Sequence, residues 1–137
     1  MSDLPPKPRN PPRARIGLAR SFRFALAGLF FLLRTQRNAR IELIIAGLVC
    51  LLGWWLRIGR IEWAILVVMI ALVLILEGLN TALEAVVDLA SPETHPLAKV
   101  AKDVSAGMVL VAAIASMVVG LLILGPPLFE RVGFGEP

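Results

Sequence analysis

Acidic side chains stand at the end of the longest apolar run of the chain, where apolar residues are expected. On a helix at about 100° per residue, Glu77, Thr81, Glu84 and Asp88 fall within a stripe of roughly 60°, with Asn80 at its edge. Carboxylate and amide oxygens are ligands that suit Mg²⁺, and a buried carboxylate can act as a general base. The stripe therefore predicts a site for a divalent cation, for proton transfer, or for both.

Two lysines follow the stripe across a loop that contains two prolines. Lys99 and Lys102 lie at the start of the next predicted helix, where cationic side chains and free backbone N–H groups suit phosphate. Acids for a metal ion beside lysines for phosphate form the arrangement that phosphoryl transfer requires. The chain has neither Gly-x-x-x-x-Gly-Lys-Ser/Thr nor Gly-x-Gly-x-x-Gly, which excludes a P-loop or Rossmann nucleotide site.

Each of these side chains also has a simpler structural interpretation. Glu84 and Asp88 can be solvated acids at a helix end, paired with the two lysines. Asn80 can bond to a neighbouring helix, and His95, between two prolines, can be a turn residue. For Glu77 such an interpretation is weaker, because residues 63–76 before it are all apolar and an idle carboxylate is costly to desolvate.

The composition is that of a membrane protein. Hydrophobic residues make up 58% of the 137 residues, the mean hydropathy is +0.80, and tyrosine is absent. The single cysteine, Cys50, lies in an apolar segment, which excludes a disulfide framework and a cysteine metal site. We therefore predict an all-α membrane protein of one small domain.

The segments follow from the apolar runs and the prolines. We expect a disordered cytoplasmic tail over residues 1–13, a membrane domain over 14–125 and a C-terminal tail over 126–137. The domain divides into an amphipathic surface helix (14–38) and spans at about 41–57, 61–89 and 97–124, the last ended by Gly125-Pro-Pro127. The alternative for the surface helix is a fourth span, but its uninterrupted apolar stretch is only about ten residues long.

The basic residues predict the orientation. Nine of the fourteen Lys and Arg residues lie in residues 1–40, and the N-terminal arm with the 91–103 loop holds eleven against three on the other side. The positive-inside rule then places the N-terminus, the acidic stripe and the His95 loop in the cytoplasm. Nucleic acid is the other partner for a basic arm, but the rest of the chain is too apolar to favour it. The second span, at roughly 44 Å, exceeds a hydrocarbon core of about 30 Å, which places the stripe near the cytoplasmic interface.

The last predicted span carries a small residue at every fourth position. Ala112, Ser116 and Gly120 form this ridge. Because small side chains let helix backbones approach closely in a membrane, we expect close helix packing along it.

One long motif resembles a known family. Glu77-x-x-Asn-Thr-Ala-x-Glu-x-x-Val-Asp88, followed by His95-x-x-x-Lys-x-x-Lys-Asp-x-x-Ala-Gly107, closely resembles the segment typical of the small prokaryotic diacylglycerol kinases, which include undecaprenol kinases. The match covers about residues 15–124. It implies a homotrimer of three-span subunits, each preceded by a surface helix, with active sites shared between neighbours. It also implies phosphorylation of a membrane lipid alcohol by ATP and Mg²⁺ at the cytoplasmic face of the inner membrane.

The resemblance also implies roles for individual residues. Glu77 corresponds to the general base on the lipid hydroxyl, and Glu84 to a metal ligand. Asn80 corresponds to a polar position beside the phosphates, and Lys102 with Asp103 to a pair that contacts ATP. In the reaction that we expect, Lys102 stabilises charge on the transferred phosphoryl group. The implied ATP-binding residues are Glu84, Asp88, Glu93, His95, Lys102 and Asp103.

The chain departs from the family at one position. The family's other metal-binding acid lies at the end of the surface helix, where this chain has Gln36. An amide oxygen can ligate Mg²⁺, but without the negative charge. Glu42 can compensate only if the chain bends between the surface helix and the first span, because on a continuous helix six residues place it about 120° away.

The sequence leaves alternatives open for the substrate and for the class of activity. Thr81 within Asn-Thr-Ala, residues 37–41 and residues 95–99 resemble the undecaprenol-kinase branch, whereas residues 84–88 fit either lipid. A small oligomeric cation or proton carrier that uses Glu77 and Glu84 as relay sites predicts ionisable residues near the bilayer midplane. A scaffold subunit predicts that the stripe is dispensable.

Overall fold

The computed structural model describes residues 17–91 and 95–133. Within these ranges the chain forms four α-helices, α1 (Leu18–Thr35), α2 (Arg37–Leu56), α3 (Arg60–Ala90) and α4 (Pro96–Val132). The all-α prediction is confirmed, and α2, α3 and α4 are each long and apolar enough to cross a membrane. The predicted tail over residues 1–13 lies outside the described ranges.

The helices are separated by short breaks. Gln36, in extended conformation (φ −94°, ψ 119°), ends α1 and precedes α2, and its N–H donates to the Leu32 carbonyl at 2.9 Å. The chain therefore bends between α1 and α2. Arg57, in the left-handed region (φ 55°), closes α2, and the Ile58 N–H donates to the Gly53 carbonyl at 3.2 Å. This tight turn reverses the chain into α3.

One face of α2 is made of small residues. Ala39, Ala46 and Gly53 are buried on it, and the half-buried Glu42 lies between the two alanines at helical spacing. At its end, Leu56 forms a core cluster with one leucine each from α3 and α4. Because lipid is as apolar as leucine, close van der Waals packing, not transfer from water, stabilises such helix contacts.

The longest helices, α3 and α4, form an antiparallel pair. Ala112 of α4 is buried, and the Ser116 hydroxyl donates to the Met69 carbonyl of α3 at 3.4 Å. These two members of the small-residue ridge therefore face α3, as expected. Gly120 does not contribute in the same way, since a Cβ there would meet no atom within 4 Å.

The predicted end of the last helix near residue 124 is wrong. α4 continues to Val132 with Pro126 and Pro127 inside it, and Gly133 (φ 85°) caps it by donating to the Phe129 carbonyl. Proline in a helix loses its N–H bond and its ring crowds the carbonyl four residues earlier, but its fixed φ is helical, and in membrane proteins neighbouring helices can hold such a segment together. Here the extension places the Arg131 guanidinium 5.0 Å from the centre of a Trp55 ring.

Candidate active site

Glu77 is the one buried charged residue among those that the structure describes, with 3% of its surface exposed. It lies in α3 next to Gly78, and the buried Leu32 of α1 packs at this level: a Cβ on Gly78 would be 3.7 Å from Leu32 Cδ2. The side chain of Leu32 is therefore within van der Waals reach of α3 beside Glu77. The carboxyl group of Glu77, which the sequence analysis identified as a candidate, is therefore buried where α1 packs against α3.

Glu42 of α2 is an acidic neighbour of Glu77 on another helix. The two carboxyl groups are close enough to interact electrostatically, although 35 positions separate them in the chain. Glu42 Oε2 is buried and has no hydrogen-bond partner within the described residues. Because a buried oxygen without a partner is costly, this carboxylate is suited to a ligand. Glu42 was expected to replace the missing acid at position 36 only if the chain bends between α1 and α2, and the bend at Gln36 meets that condition.

Asn80 links α3 to α4. Its Nδ2 donates to Glu84 Oε1 at 3.2 Å, and its Oδ1 accepts from the Ser105 hydroxyl. The Ser105 hydroxyl also lies 2.9 Å from the Lys102 carbonyl oxygen. Both ends of the Asn80 amide are therefore held, and the amide orients the Glu84 carboxylate. The sequence interpretation missed Ser105; the signal was a hydroxyl three residues after Lys102, on the same face of the predicted helix.

Removing the Ser105 hydroxyl should loosen this link. For Ser105→Ala we expect a loss of about 0.5–1.5 kcal/mol in stability, the usual contribution of one hydrogen bond, and a fall in turnover of about fivefold as Asn80 and Glu84 lose their orientation. Thermal unfolding in detergent and steady-state kinetics measure the two effects. Ser116→Ala is the matched control, because its hydroxyl bridges the same two helices away from the acids. Unchanged turnover in Ser105→Ala would contradict the positioning role.

The outer part of the stripe carries two ion pairs. Asp88 of α3 pairs with Lys102 of α4, and Lys99 pairs with Asp103 one turn along α4. The simpler interpretation of Asp88, an acid paired with a lysine, is therefore observed. Such exposed pairs contribute about 0–1 kcal/mol, so an incoming phosphate can replace Asp88 as the partner of Lys102 at little cost.

His95 caps the N-terminus of α4. Its Nδ1 accepts the Leu97 N–H at 3.2 Å, and Pro96 occupies the first helical position. The structure thus gives His95 the role of a turn residue, with its other ring nitrogen directed away from that bond. Glu93 lies outside the described residues. Gln36 is half-buried at the junction of α1 and α2.

The donor set suits a magnesium ion held by few protein ligands. Among the described residues no group of three or more acidic, histidine or cysteine side chains is gathered for a metal. Mg²⁺, however, commonly takes one or two carboxylates and fills its other positions with water and phosphate oxygens. Glu84 uses one oxygen for Asn80, and Glu42 has a buried oxygen without a partner in the described chain. These two acids fit that pattern.

Comparison with known proteins points to one family. Residues 23–124 match the sequence profile of prokaryotic diacylglycerol kinase, a range that includes every residue of the site. The chain is 48% identical over 111 residues to a diacylglycerol kinase of Synechocystis, an alignment that covers 80% of this chain but only 63% of that protein. It is 42% identical over 109 residues to an undecaprenol kinase of Bacillus subtilis, an alignment that covers 80% of this chain and 89% of that protein. A diacylglycerol kinase of Escherichia coli is 36% identical over 77 residues, an alignment that covers 56% of this chain and 63% of that protein.

Proposed function

The chain belongs to the prokaryotic diacylglycerol kinase family, and from this premise we propose that it transfers the γ-phosphoryl group of ATP to the hydroxyl of a membrane lipid, in a reaction that requires Mg²⁺. The observation that carries the proposal is the buried Glu77 carboxylate beside the Asn80–Glu84 pair. A base, a polar positioning group and a metal-binding acid occur together on one helix. Lys102 of the adjoining helix adds a cation for phosphate.

Glu77 serves as the general base. Its carboxylate takes the proton of the lipid hydroxyl while the hydroxyl oxygen attacks the γ-phosphorus. The bond from that phosphorus to the β–γ bridging oxygen breaks, so the products are the lipid phosphate and ADP. Enclosure by α1 and α3 keeps water from competing with the lipid as acceptor.

Glu84 is one proposed ligand of Mg²⁺. The family's other metal-binding acid is replaced by Gln36 in this chain, and Glu42 is proposed to serve as a ligand in its place. The buried Oε2 of Glu42, which has no hydrogen-bond partner within the described residues, supports this assignment over the neutral Gln36 amide. When bound, Mg²⁺ neutralises charge on the phosphate oxygens. Asn80 keeps Glu84 in one orientation through its hydrogen bond.

The nucleotide lies along the outer end of the stripe. Lys102 exchanges Asp88 for phosphate oxygens and stabilises charge on the transferred group. The other proposed contacts with ATP come from Asp88, Glu93, His95 and Asp103. The weak, exposed ion pairs of Asp88 and Asp103 support this placement, because they are readily rearranged.

We also propose that the enzyme lies in the inner membrane with its N-terminus in the cytoplasm. The 31 residues of α3 span about 46 Å, more than a hydrocarbon core, so the Glu77 end reaches headgroup depth. We take α1 as the amphipathic surface helix at that depth, within a domain of residues 14–125. A homotrimer with shared sites is also proposed. The Glu42 oxygen that lacks a hydrogen-bond partner in the described part of the chain supports it, since a neighbouring subunit can complete the site.

Between the two candidate lipids we favour undecaprenol. Relatives named diacylglycerol kinase and undecaprenol kinase align with the same 80% of this chain, at 48% and 42% identity, so the preference rests on short sequence segments. The Asn80-Thr-Ala sequence and residues 95–99 agree with the undecaprenol-kinase branch. The carrier alternative is less favoured, because Glu77 and Glu84 lie about 26 and 36 Å along α3 from Arg60, beyond the middle of a hydrocarbon core of about 30 Å, whereas a relay requires sites near the midplane.

The decisive experiment uses the purified protein in lipid vesicles. We expect label from γ-labelled ATP to enter the lipid in the presence of Mg²⁺, faster with undecaprenol than with diacylglycerol, and not to enter after chelation of the metal. Label in neither lipid would overturn the kinase proposal. Faster labelling of diacylglycerol would overturn only the choice of substrate. Ion flux without ATP would support the carrier.

A further inference from the structure

A second site lies at the end of the molecule opposite the acids. A cavity of about 450 Å³ is lined there by three tryptophans, two arginines and one isoleucine, namely Trp54, Trp55, Arg57, Ile58, Trp63 and Arg131. We call it the tryptophan pocket. None of these residues belongs to the proposed kinase site.

Three helix ends build the pocket. α2 contributes Trp54 and Trp55, the left-handed turn contributes Arg57, and α3 contributes Trp63. Gly53 lets the turn close, since a Cβ there would lie 3.0 Å from Ile58 Cδ1 and 3.4 Å from Trp63 Cζ2. The extension of α4 beyond its prolines brings Arg131 to the rim. The walls are therefore held by packing.

Two arginines at this apolar pocket have no acidic partner in the part of the chain that the structure describes. Within residues 17–91 and 95–133, neither Arg57 nor Arg131 forms an ion pair with a carboxylate. Arg131 instead stacks over Trp55, 5.0 Å from the ring centre. Guanidinium groups bind phosphate oxygens through two parallel hydrogen bonds, and an arginine stacked on a ring is already oriented for such a contact. The pocket thus has unsatisfied capacity for an anion.

The position of the pocket at headgroup level indicates which kind of anion it can bind. Tryptophans at the ends of spanning helices lie at headgroup level, and Trp54 is 76% exposed. The volume lies within the range of about 300–1,000 Å³ that small-molecule sites occupy. Apolar walls with cations at the rim match an amphiphile whose phosphate meets the arginines and whose glycerol region meets the rings. Free phosphate would leave those walls without a partner.

We propose that the tryptophan pocket binds the headgroup of an anionic phospholipid from the leaflet opposite the kinase site. A net negative headgroup is preferred over a zwitterionic one, because the latter carries an ammonium group that opposes the two guanidinium groups. The site is independent of the lipid alcohol that receives phosphate.

The chain itself supplies the reporter. Its only three tryptophans all line the pocket, and it has no tyrosine, so intrinsic fluorescence reports on this place alone. The protein is reconstituted with phosphatidylglycerol or phosphatidylcholine that carries bromine on its acyl chains, and quenching is measured as the brominated fraction rises. We expect the anionic lipid to quench at a lower fraction, with a preference of about fivefold per guanidinium.

Arginine variants separate this site from general membrane contact. Arg57→Gln with Arg131→Gln should reduce the preference to about one, whereas lysine at both positions should retain much of it. Arg60→Gln is the matched control, because it removes one charge from the same turn without touching the pocket. Lipid phosphorylation should persist in all of these variants, which confirms folding and separates this proposal from the kinase assignment.

Three results would overturn the proposal. Equal quenching by both lipids in the unaltered protein would show ordinary lipid contact at the tryptophans. Quenching by neither lipid would show that another part of the assembly, such as a second copy of the chain, covers the pocket. A preference that survives in the double glutamine variant would also exclude the two arginines as its cause.

Discussion

Glu77→Gln should remove nearly all lipid phosphorylation while the helices stay folded. Glutamine keeps the size of the side chain but cannot accept the hydroxyl proton, so turnover should fall by roughly 10²–10⁴-fold, the usual contribution of a general base. The substitution also removes a charge from a position that is only 3% exposed, so stability should not fall. Initial rates with γ-labelled ATP and thermal unfolding in detergent measure both.

The control for this prediction is Glu62→Gln. Glu62 lies in the first turn of the same helix, at the end away from the stripe, and its substitution should leave the rate unchanged. Turnover within about twofold of the original in Glu77→Gln would exclude the base role. A large loss with normal ATP binding places the defect in the chemical step, whereas a loss of ATP binding would place Glu77 at the nucleotide.

Glu84→Gln should weaken the binding of the metal ion. The amide keeps one oxygen for Asn80 but removes the negative charge, so metal affinity should fall by roughly 100-fold or more and turnover at low Mg²⁺ should fall with it. Because Asn80 Nδ2 can still donate to the new amide oxygen, the α3–α4 link should persist. Raising the Mg²⁺ concentration should restore part of the rate.

A direct measurement separates metal binding from catalysis. The electron paramagnetic resonance signal of Mn²⁺, titrated with a non-hydrolysable ATP analogue present, should show the loss of affinity without any turnover. Glu130→Gln, an exposed acid near the end of α4, is the control and should bind Mn²⁺ normally. Normal Mn²⁺ affinity in Glu84→Gln would assign the metal to other acids, with Glu42 the first to test.

Neither Glu77→Gln nor Glu84→Gln should lower activity by disrupting the fold. Exposed apolar side chains cover most of the surface of α2, α3 and α4, as expected for helices that face lipid, and the structure depends on small-residue contacts between them. A change at Glu77 or Glu84 leaves those contacts in place. Loss of activity together with loss of helix content would therefore count against both assignments.

Much of this protein is determined locally by its sequence. The all-α fold and the three long apolar helices follow from hydrophobic runs, whose length alone decides whether a helix can cross a bilayer. The acidic stripe follows from helical spacing, and the structure places Asn80 against Glu84 one turn apart as that spacing requires. The motif of residues 77–107 was enough to indicate the family.

The tertiary structure decided what depends on packing between distant segments. The approach of Glu42 to Glu77, and of Ser105 to Asn80, joins residues 35 and 25 positions apart, and no local pattern fixes the register of one helix against another. The same packing carries α4 through Pro126 and Pro127, where local rules predict a stop, and so brings Arg131 to the tryptophans. Spacing along one helix can be read from residue types, but contacts between helices require the backbone bends and small residues that bring their faces together.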